Sequence, residues 1–193
     1  GKLVIMHKWN PEHALELIER ERVTSFGGVP AMVWQVLESA DFATRDTSSV
    51  LSIGYGGAPS APDLVARIKQ QFPKVEPSNG YGLTETSAIT TQNLAEDYVA
   101  KPDSAGVAVP VCDIKVVDEK GNELPRGQVG ELWIRGPNVV KGYWNKPEAT
   151  AAAITEGAWF HSGDLVRVDD EGFVYILDRA KDMLIRGGEN IYC

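Results

Sequence analysis

The sequence has few cysteines and no long apolar run. Its two cysteines, Cys112 and Cys193, have no Cys or His neighbour at a metal-ligand spacing. This argues against a disulfide scaffold and a zinc site and favours a reducing compartment, so we expect a cytoplasmic protein. Every apolar stretch is far shorter than the roughly 20 residues that cross a bilayer, so we expect no transmembrane segment.

Positive charge is also scarce. The 193 residues include 19 Lys and Arg against 27 Asp and Glu, a formal net charge of −8. Residues 1–98 and residues 99–193 each carry a net charge of −4. The acidic net charge of the chain therefore does not conceal a basic half. This argues against binding to a nucleic-acid backbone as the main activity. With 43% hydrophobic and 24% charged residues, the composition is that of a globular protein of one or two domains.

The first half of the sequence alternates helix and strand patterns. Residues 10–12 (Asn-Pro-Glu) have the pattern of an N-cap, a first-turn proline and an acidic first turn, which predicts a helix start. A strand is predicted at residues 50–55, and residues 60–63 (Ser-Ala-Pro-Asp) predict a capping box that opens another helix. The residues of that helix expected to face inward are Leu64, Val65, Ile68 and Phe72. This alternation predicts part of a mostly parallel α/β sheet layer.

The second half has a different pattern from about Lys101 onward. Short β-rich runs at residues 114–117, 131–134 and 173–177 are separated by turn clusters. One helix is predicted there, at residues 147–154. We expect a small antiparallel, barrel-like β subdomain after the α/β layer.

Residues 78–86, Ser-Asn-Gly-Tyr-Gly-Leu-Thr-Glu-Thr, combine groups that suit a nucleotide and a metal ion. Two glycines flank Tyr81, and glycine lets the backbone approach a ligand closely. Thr84 can bind a phosphate oxygen, and Glu85 is a hard oxygen ligand suited to Mg²⁺. By residue type alone, a glycine-containing turn explains the segment equally well.

Residues 79–85 resemble the adenine-and-phosphate motif of the adenylate-forming (AMP-binding) enzymes. This superfamily includes acyl-CoA synthetases, the adenylation domains of peptide synthetases, and firefly luciferase. The other matches fall in the family's order at residues 56–59 (Gly-Gly-Ala-Pro), 130–137 with 141–144, 161–164 (His-Ser-Gly-Asp), 178–182 and 186–190. Because the matches are ordered across nearly the whole chain, they carry more weight than any single tetrapeptide.

The resemblance implies a site for ATP and Mg²⁺. Tyr81 is expected to stack on adenine, Thr84 to hold the α-phosphate, and Glu85 to bind the Mg²⁺ ion. Asp164 is expected to accept hydrogen bonds from the ribose hydroxyls, and Arg179 to contact ribose or phosphate. The other residues expected at the nucleotide are Gly56, Gly57, Ala58, Pro59, Asn79, Gly80 and Gly82.

The resemblance also implies a hinge near the end of the sequence. Lys181 matches the position where the family rotates its C-terminal domain between half-reactions, and Gly187 and Gly188 are expected beside the coenzyme A tunnel. The implied domains are residues 1–98 (α/β part of the large domain), 99–178 (its β-rich subdomain) and 179–193 (hinge and start of the C-terminal domain).

Some of these residues have simpler interpretations. Asp164 follows Ser162 and Gly163, and by itself it could be a turn carboxylate that binds its own backbone. Trp133, Trp144 and Trp159 are expected in the core of the β subdomain rather than at a ligand.

The function implied by the resemblance is ATP-dependent activation of a carboxylic acid. An acyl-adenylate forms first, and the thiol of coenzyme A then takes the acyl group; a fatty or similarly hydrophobic acid is expected. Three alternatives stay open: transfer to a carrier-protein thiol, luciferase-like oxidation, and a nucleotide-binding module without catalysis.

Three parts of the family pattern have no match in this sequence. The two upstream parts are a Ser/Thr/Gly-rich loop that ends in lysine and an aromatic-containing segment near the acyl carboxylate. The downstream part is a catalytic lysine. We therefore expect a piece of a larger synthetase that does not adenylate by itself.

Overall fold

The structure, a computed structural model, describes residues 1–58 and 60–179, and the backbone alone of residues 184–186 and 189–191. It contains two compact units. The first comprises residues 1–80 and 93–103, and the second comprises residues 81–92 and 104–193.

The first unit alternates helices with parallel strands, as the sequence predicts. The elements up to residue 103 are α1 (Pro11–Glu21), β1 (Ser25–Gly28), α2 (Pro30–Glu38), β2 (Ser52–Gly56), α3 (Pro62–Gln71), β3 (Glu76–Tyr81), β4 (Thr91–Leu94) and α4 (Ala95–Ala100). Strand β2 lies between β1 and β3 and is parallel to both, with Ser25 opposite Ser52 and Ser52 opposite Glu76. The α/β part of the predicted fold class is confirmed.

Helix α1 begins where the sequence predicts. The side chain of Asn10 accepts a hydrogen bond from the backbone N–H of His13 at 2.7 Å, and Pro11 follows in the first turn. The buried face of the helix consists of Ala14, Leu15, Leu17 and Ile18. The helix ends at Glu21, and its C-cap residue Arg22 adopts the left-handed conformation with φ 54°.

The predicted capping box at residues 60–63 is wrong. Helix α3 begins at Pro62, its N-cap is Ala61, and no side chain caps it. Proline fits the first helical position because its φ is already helical and its missing N–H has no partner to lose there. That preference moves the cap one residue past Ser60. The inward face is as predicted, since Leu64, Val65, Ile68 and Phe72 are all buried.

The core of the first unit is mainly aliphatic and contains a hydrogen bond between two tyrosines. Ile53 of β2 and Leu64 of α3 are fully buried at its centre. Tyr98 of α4 is also fully buried, and its hydroxyl donates to the hydroxyl of Tyr55 at 2.9 Å. This contact satisfies a buried phenol that would otherwise lose hydrogen bonds to water.

The second unit is built on an antiparallel sheet, which confirms the second part of the fold class. Its strands run in the order β10 (Val174–Arg179), β9 (Trp159–Val168), β7 (Val129–Arg135) and β6 (Asp113–Val117), and β8 (Ile154–Thr155) pairs with β9. Strand β9 was not predicted. The predicted β-rich runs at residues 114–117 and 131–134 lie in β6 and β7, and the run at residues 173–177 overlaps β10. The elements after residue 103 are β5 (Val107–Ala108), β6 (Asp113–Val117), β7 (Val129–Arg135), α5 (Pro147–Ala153), β8 (Ile154–Thr155), β9 (Trp159–Val168), β10 (Val174–Arg179), β11 (Leu184–Arg186) and β12 (Glu189–Ile191).

The three tryptophans lie outside the core, contrary to expectation. Leu132 and Ile134 of β7 are buried, so strand alternation turns Trp133 to the opposite face. There Trp133 stacks on His161 with ring centroids 4.0 Å apart, and Trp159 lies under the ammonium of Lys115 at 4.5 Å. Trp144 follows β7 in a connecting segment and is 89% exposed.

No helix among the residues that the structure describes is long and apolar enough to cross a membrane.

Candidate functional site

The carboxyl ends of β2 and β3 approach each other through glycine. Gly56 lies opposite Gly80, and Tyr55 lies opposite Asn79. A Cβ atom on Gly56 would lie 2.3 Å from the carbonyl oxygen of Gly80, so only glycine fits there without a shift. Ligands of open α/β sheets bind beyond the carboxyl ends of the parallel strands. The structure therefore brings together the predicted residues Gly56, Asn79 and Gly80 at an edge that suits a ligand.

The loop after β2 is open. Gly57 has φ +75°. If a Cβ atom were added at this position, no neighbouring atom would lie within 4 Å of it. Gly57 and Ala58 are both exposed. Pro59 lies outside the described residues.

Tyr81 and Asp164 form the centre of the second unit's polar site. The phenol of Tyr81 donates a hydrogen bond to Oδ2 of Asp164 at 2.5 Å. Tyr81 ends β3, whereas Asp164 lies in the middle of β9. Asp164 is 3% exposed, so its carboxylate depends on protein partners.

Arg179 supplies the second partner of this carboxylate. It lies opposite Asp164 in the β9–β10 ladder, and its Nε donates to Oδ1 of Asp164 at 3.2 Å. The hydroxyl of Ser162 accepts the backbone N–H of Asp164 at 3.0 Å. Asp164 is thus a strand residue with charged and polar partners rather than a turn carboxylate, because its side chain binds Tyr81 and Arg179.

Burial raises the pKa of Tyr81 above its ordinary range, and its hydrogen bond to Asp164 raises that pKa further. The phenol therefore stays protonated at neutral pH and remains a donor to Asp164.

Thr84 and Glu85 lie together in a short 3-10 turn, Thr84–Thr86. Thr84 is exposed and Glu85 is half-buried. The phenol of Tyr143 donates to Oε1 of Glu85 at 2.8 Å. A carboxylate offers about four lone-pair sites, so Glu85 keeps capacity for a cation.

The buried side chain of Thr86 stabilises the turn, a role that was not predicted. Thr86 is fully buried, and its hydroxyl accepts the N–H of Leu83 at 2.9 Å. Thr90 donates to the same hydroxyl at 2.9 Å. At Gly82, the predicted contact residue before the turn, a Cβ atom would lie 2.2 Å from the carbonyl oxygen of Ala88. Gly82 thus lets the turn fold tightly.

Two further residues that contact this turn were missed as site residues. The side-chain N–H of Asn138 donates to the carbonyl of Thr86 at 3.3 Å, and Tyr143 binds Glu85. The available signal was position: Asn138 directly follows the match at 130–137, and Tyr143 lies within the match at 141–144. The pKa of Tyr143 is raised, first by burial and then by its bond to Glu85.

Comparison with known proteins decides the family. The AMP-binding enzyme family matches residues 1–144. This chain belongs to the AMP-binding enzymes.

Relatives among the AMP-binding enzymes include ligases for different acids. Feruloyl-CoA synthase from an Amycolatopsis species is 42% identical over 195 residues, which cover 100% of this chain and 39% of that protein. The medium/long-chain-fatty-acid–CoA ligase FadD8 of Mycobacterium tuberculosis is 34% identical, over 100% of this chain and 34% of that protein.

A solved AMP-binding enzyme has a closely similar fold. The amide bond synthetase McbA from Marinactinospora thermotolerans is 33% identical with a TM-score of 0.86, over 97% of this chain and 38% of that one. The chain therefore spans less than two fifths of the length of these relatives.

The described residues of this AMP-binding chain show which kind of metal site their side chains can form. Among them, no group of three or more His, Cys, Asp and Glu side chains could hold a metal ion. Mg²⁺ is commonly bound through one or two carboxylates together with substrate phosphates, so a single carboxylate such as Glu85 fits that ion. Lys181, Gly187 and Gly188 lie outside the described side chains.

Proposed function

We propose that the protein to which this chain belongs activates a carboxylic acid with ATP and transfers the acyl group to coenzyme A. In the first half-reaction, the carboxylate attacks the α-phosphorus of ATP, and pyrophosphate leaves as the acyl-adenylate forms. In the second, the thiol attacks the acyl carbonyl and AMP leaves. The observation that carries the proposal is the contact of Tyr81 and Arg179 with the buried carboxylate of Asp164, in a chain of the AMP-binding enzyme family.

Asp164 is proposed to bind the ribose. Tyr81 donates to Oδ2 and Arg179 to Oδ1, and because a carboxylate offers about four lone-pair sites, it can also accept from ribose hydroxyls. Because Tyr81 and Arg179 hold the carboxylate in one orientation, it is pre-organised for that contact. Arg179, with its side chain 61% exposed, can contact ribose or phosphate as well.

Tyr81 is proposed to stack its ring on adenine while its hydroxyl binds Asp164. The glycine-rich strand ends and the loop after β2 are proposed to line the edge of the base, because they present backbone without bulky side chains. The residues assigned to this role are Gly56, Gly57, Ala58, Pro59, Asn79, Gly80 and Gly82.

Thr84 and Glu85 are proposed to act at the α-phosphate. The exposed hydroxyl of Thr84 can donate to a phosphate oxygen, and Glu85 is the ligand proposed for Mg²⁺. When bound, Mg²⁺ supplies positive charge that offsets the charge developing on the phosphate oxygens. The protein's own contribution is to hold both side chains on one tight turn, so that they are oriented before the substrate binds.

Lys181, Gly187 and Gly188 keep the roles implied by the family resemblance. Lys181 is proposed as the hinge, and the two glycines are proposed to lie beside coenzyme A. A cytoplasmic location is proposed from the cysteine usage. A hydrophobic acid is proposed as substrate, since the similar relatives are named for ferulate and for medium- and long-chain fatty acids.

Amide formation is a second candidate, favoured by the similarity to the amide bond synthetase McbA. Both reactions share the adenylate, and they differ in whether a thiol or an amine attacks it.

The test uses the full-length protein with Mg-ATP and a panel of aromatic and fatty acids. Hydroxylamine traps an acyl-adenylate as a hydroxamate, and we expect trapping with at least one acid. Replacing hydroxylamine by coenzyme A should then give a thioester and AMP. An amide formed from a simple amine, with no thioester, would favour the second candidate. Absence of any trapped acid with the whole panel would contradict the proposal.

A further inference from the structure

The segment from residue 138 to residue 143, here called the clamp segment, holds the turn that carries Glu85. The backbone N–H of Val140 donates to the carbonyl oxygen of Glu85 at 2.8 Å. The hydroxyl of Ser87 donates to the carbonyl of Asn138 at 2.8 Å, and the Asn138 side chain donates to the carbonyls of Thr86 and Ile89. Glu85 is therefore fixed at its backbone from 55 positions further along the chain.

The clamp segment also reaches the carboxylate of Glu85 through Tyr143. The phenol donates to Oε1 at 2.8 Å, so one carboxylate oxygen is engaged. Tyr143 is 37% exposed, and its ring contributes little to the core. The main effect of the Tyr143 hydroxyl is therefore to orient the half-buried carboxylate of Glu85, and its effect on core packing is small.

Tyr143 is itself held in place from helix α5. Its backbone N–H donates to the hydroxyl of Thr150 at 2.9 Å, and that hydroxyl donates to the carbonyl of Lys146 at 2.9 Å. Gly142 makes the approach possible, because a Cβ atom there would lie 2.5 Å from Cγ2 of Thr150. The orientation of Glu85 thus depends on a chain of contacts from Thr150 through Tyr143.

We propose that Tyr143 is a positioning residue for the proposed metal-binding carboxylate, fixing Oε1 of Glu85 so that Oε2 is directed at the cation. The inference rests on the proposed function of Glu85. Partners of metal-binding carboxylates commonly change metal affinity by about 10- to 100-fold when removed. Because Tyr143 is partly exposed, we expect an effect of about 10-fold, at the lower end of that range.

The test measures metal binding directly in the full-length protein. Mn²⁺ is titrated in the presence of the ATP analogue α,β-methylene-ATP, and free Mn²⁺ is followed by electron paramagnetic resonance. Tyr143→Phe keeps the ring and removes the hydroxyl, and it should weaken Mn²⁺ binding about 10-fold. Thr150→Val, which removes the acceptor behind Tyr143, should weaken it in the same direction. The matched control is Tyr175→Phe, since the Tyr175 phenol donates to Asp169 at 3.2 Å outside the clamp segment.

Glu85→Gln separates this inference from the proposed function. If Glu85→Gln weakens Mn²⁺ binding and Tyr143→Phe leaves it at the wild-type value, the positioning role is wrong and the metal role of Glu85 stands. If neither variant changes the Mn²⁺ affinity, both assignments are overturned. An equal loss with Tyr175→Phe would also overturn the inference, because the effect would then be general to tyrosine hydroxyls.

Discussion

The phenol of Tyr81 and the carboxylate of Asp164 are joined by a hydrogen bond of 2.5 Å across 83 positions of sequence. The family resemblance implies a separate role for each, with the ring on adenine and the carboxylate on ribose. The contact makes the two roles interdependent, because the phenol fixes the direction of the group proposed to bind ribose.

Tyr81→Phe tests this dependence. The variant keeps the ring for stacking and removes the donor to Asp164. Hydrogen bonds to charged groups contribute about 1.5–3 kcal/mol, so the KM for ATP should rise about 10-fold or more in the full-length enzyme. Steady-state kinetics with ATP varied at saturating acid measures it. A KM equal to that of wild type would mean that the phenol does not support nucleotide binding.

Gly56→Ala should destabilise the first unit. Its new Cβ atom would lie 2.3 Å from the backbone oxygen of Gly80, which cannot rotate away. The expected cost is about 1–3 kcal/mol. Gly54→Ala on the same strand is the matched control, because its Cβ atom would meet only the side-chain oxygen of Ser78, at 2.8 Å, and that hydroxyl can rotate.

Urea denaturation of the two full-length variants compares them. The midpoint for Gly56→Ala should lie clearly below that for Gly54→Ala. Equal midpoints would show that β2 and β3 are not in the close contact described.

Thr86→Val should weaken the turn that carries Thr84 and Glu85. It removes the buried acceptor of the Leu83 N–H, and an unpaired buried donor costs about 1–3 kcal/mol. Thr44→Val is the control: Thr44 is exposed, and its hydroxyl donates to the carbonyl of Asp41. Thermal melting of the full-length protein should show a lower Tm for Thr86→Val and almost no change for Thr44→Val. The reverse order would contradict the buried role of Thr86.

The phenols of Tyr81 and Tyr55 should not ionise in the pH range near 10 where tyrosine ordinarily does. Burial is the main cause of the raised pKa in both, with hydrogen bonds to Asp164 and Tyr98 adding to it. Because the folded pKa lies above the unfolded value of about 10, this stabilisation is fully present below pH 10 and is lost as the pH rises toward the folded pKa.

Absorbance at 295 nm during an alkaline titration of the folded protein measures tyrosine ionisation. Tyr81→Phe and Tyr55→Phe should leave the amplitude near pH 10 unchanged. A smaller amplitude in either variant would mean that the replaced phenol titrates normally.

Sequence patterns predicted the elements whose determining residues are neighbours in sequence. The cap, proline and apolar positions of α1 are neighbours in sequence, so its start was predicted correctly. Strand β3 was not predicted, because Glu76–Tyr81 has no run of β-branched residues and becomes a strand by pairing with β2. Strand β9 was missed because Ser162 and Gly163 have the composition of a turn.

Sequence patterns proposed the residues of the candidate site but not their contacts. The resemblance proposes roles for Tyr81, Glu85 and Asp164, but a motif carries no information on which side chains meet. Asn138 and Thr86 are 52 positions apart and join through a side-chain N–H and a backbone carbonyl, neither of which leaves a local pattern. Long-range hydrogen bonds of this kind require the folded structure.

The central claim is that Glu85 and Asp164 act on Mg-ATP in an adenylation reaction. The most direct measurement is exchange of labelled pyrophosphate into ATP by the full-length protein, with the acid that gives the strongest hydroxamate. Wild type and Tyr175→Phe should exchange equally. Glu85→Gln should be slower by at least about 100-fold, the usual effect of removing a group that supports stabilisation of transition-state charge. Asp164→Ala should also be slower, by about 100-fold, because the nucleotide loses the contact proposed to orient its ribose. Acid-dependent exchange at the wild-type rate in Glu85→Gln and Asp164→Ala would contradict the claim.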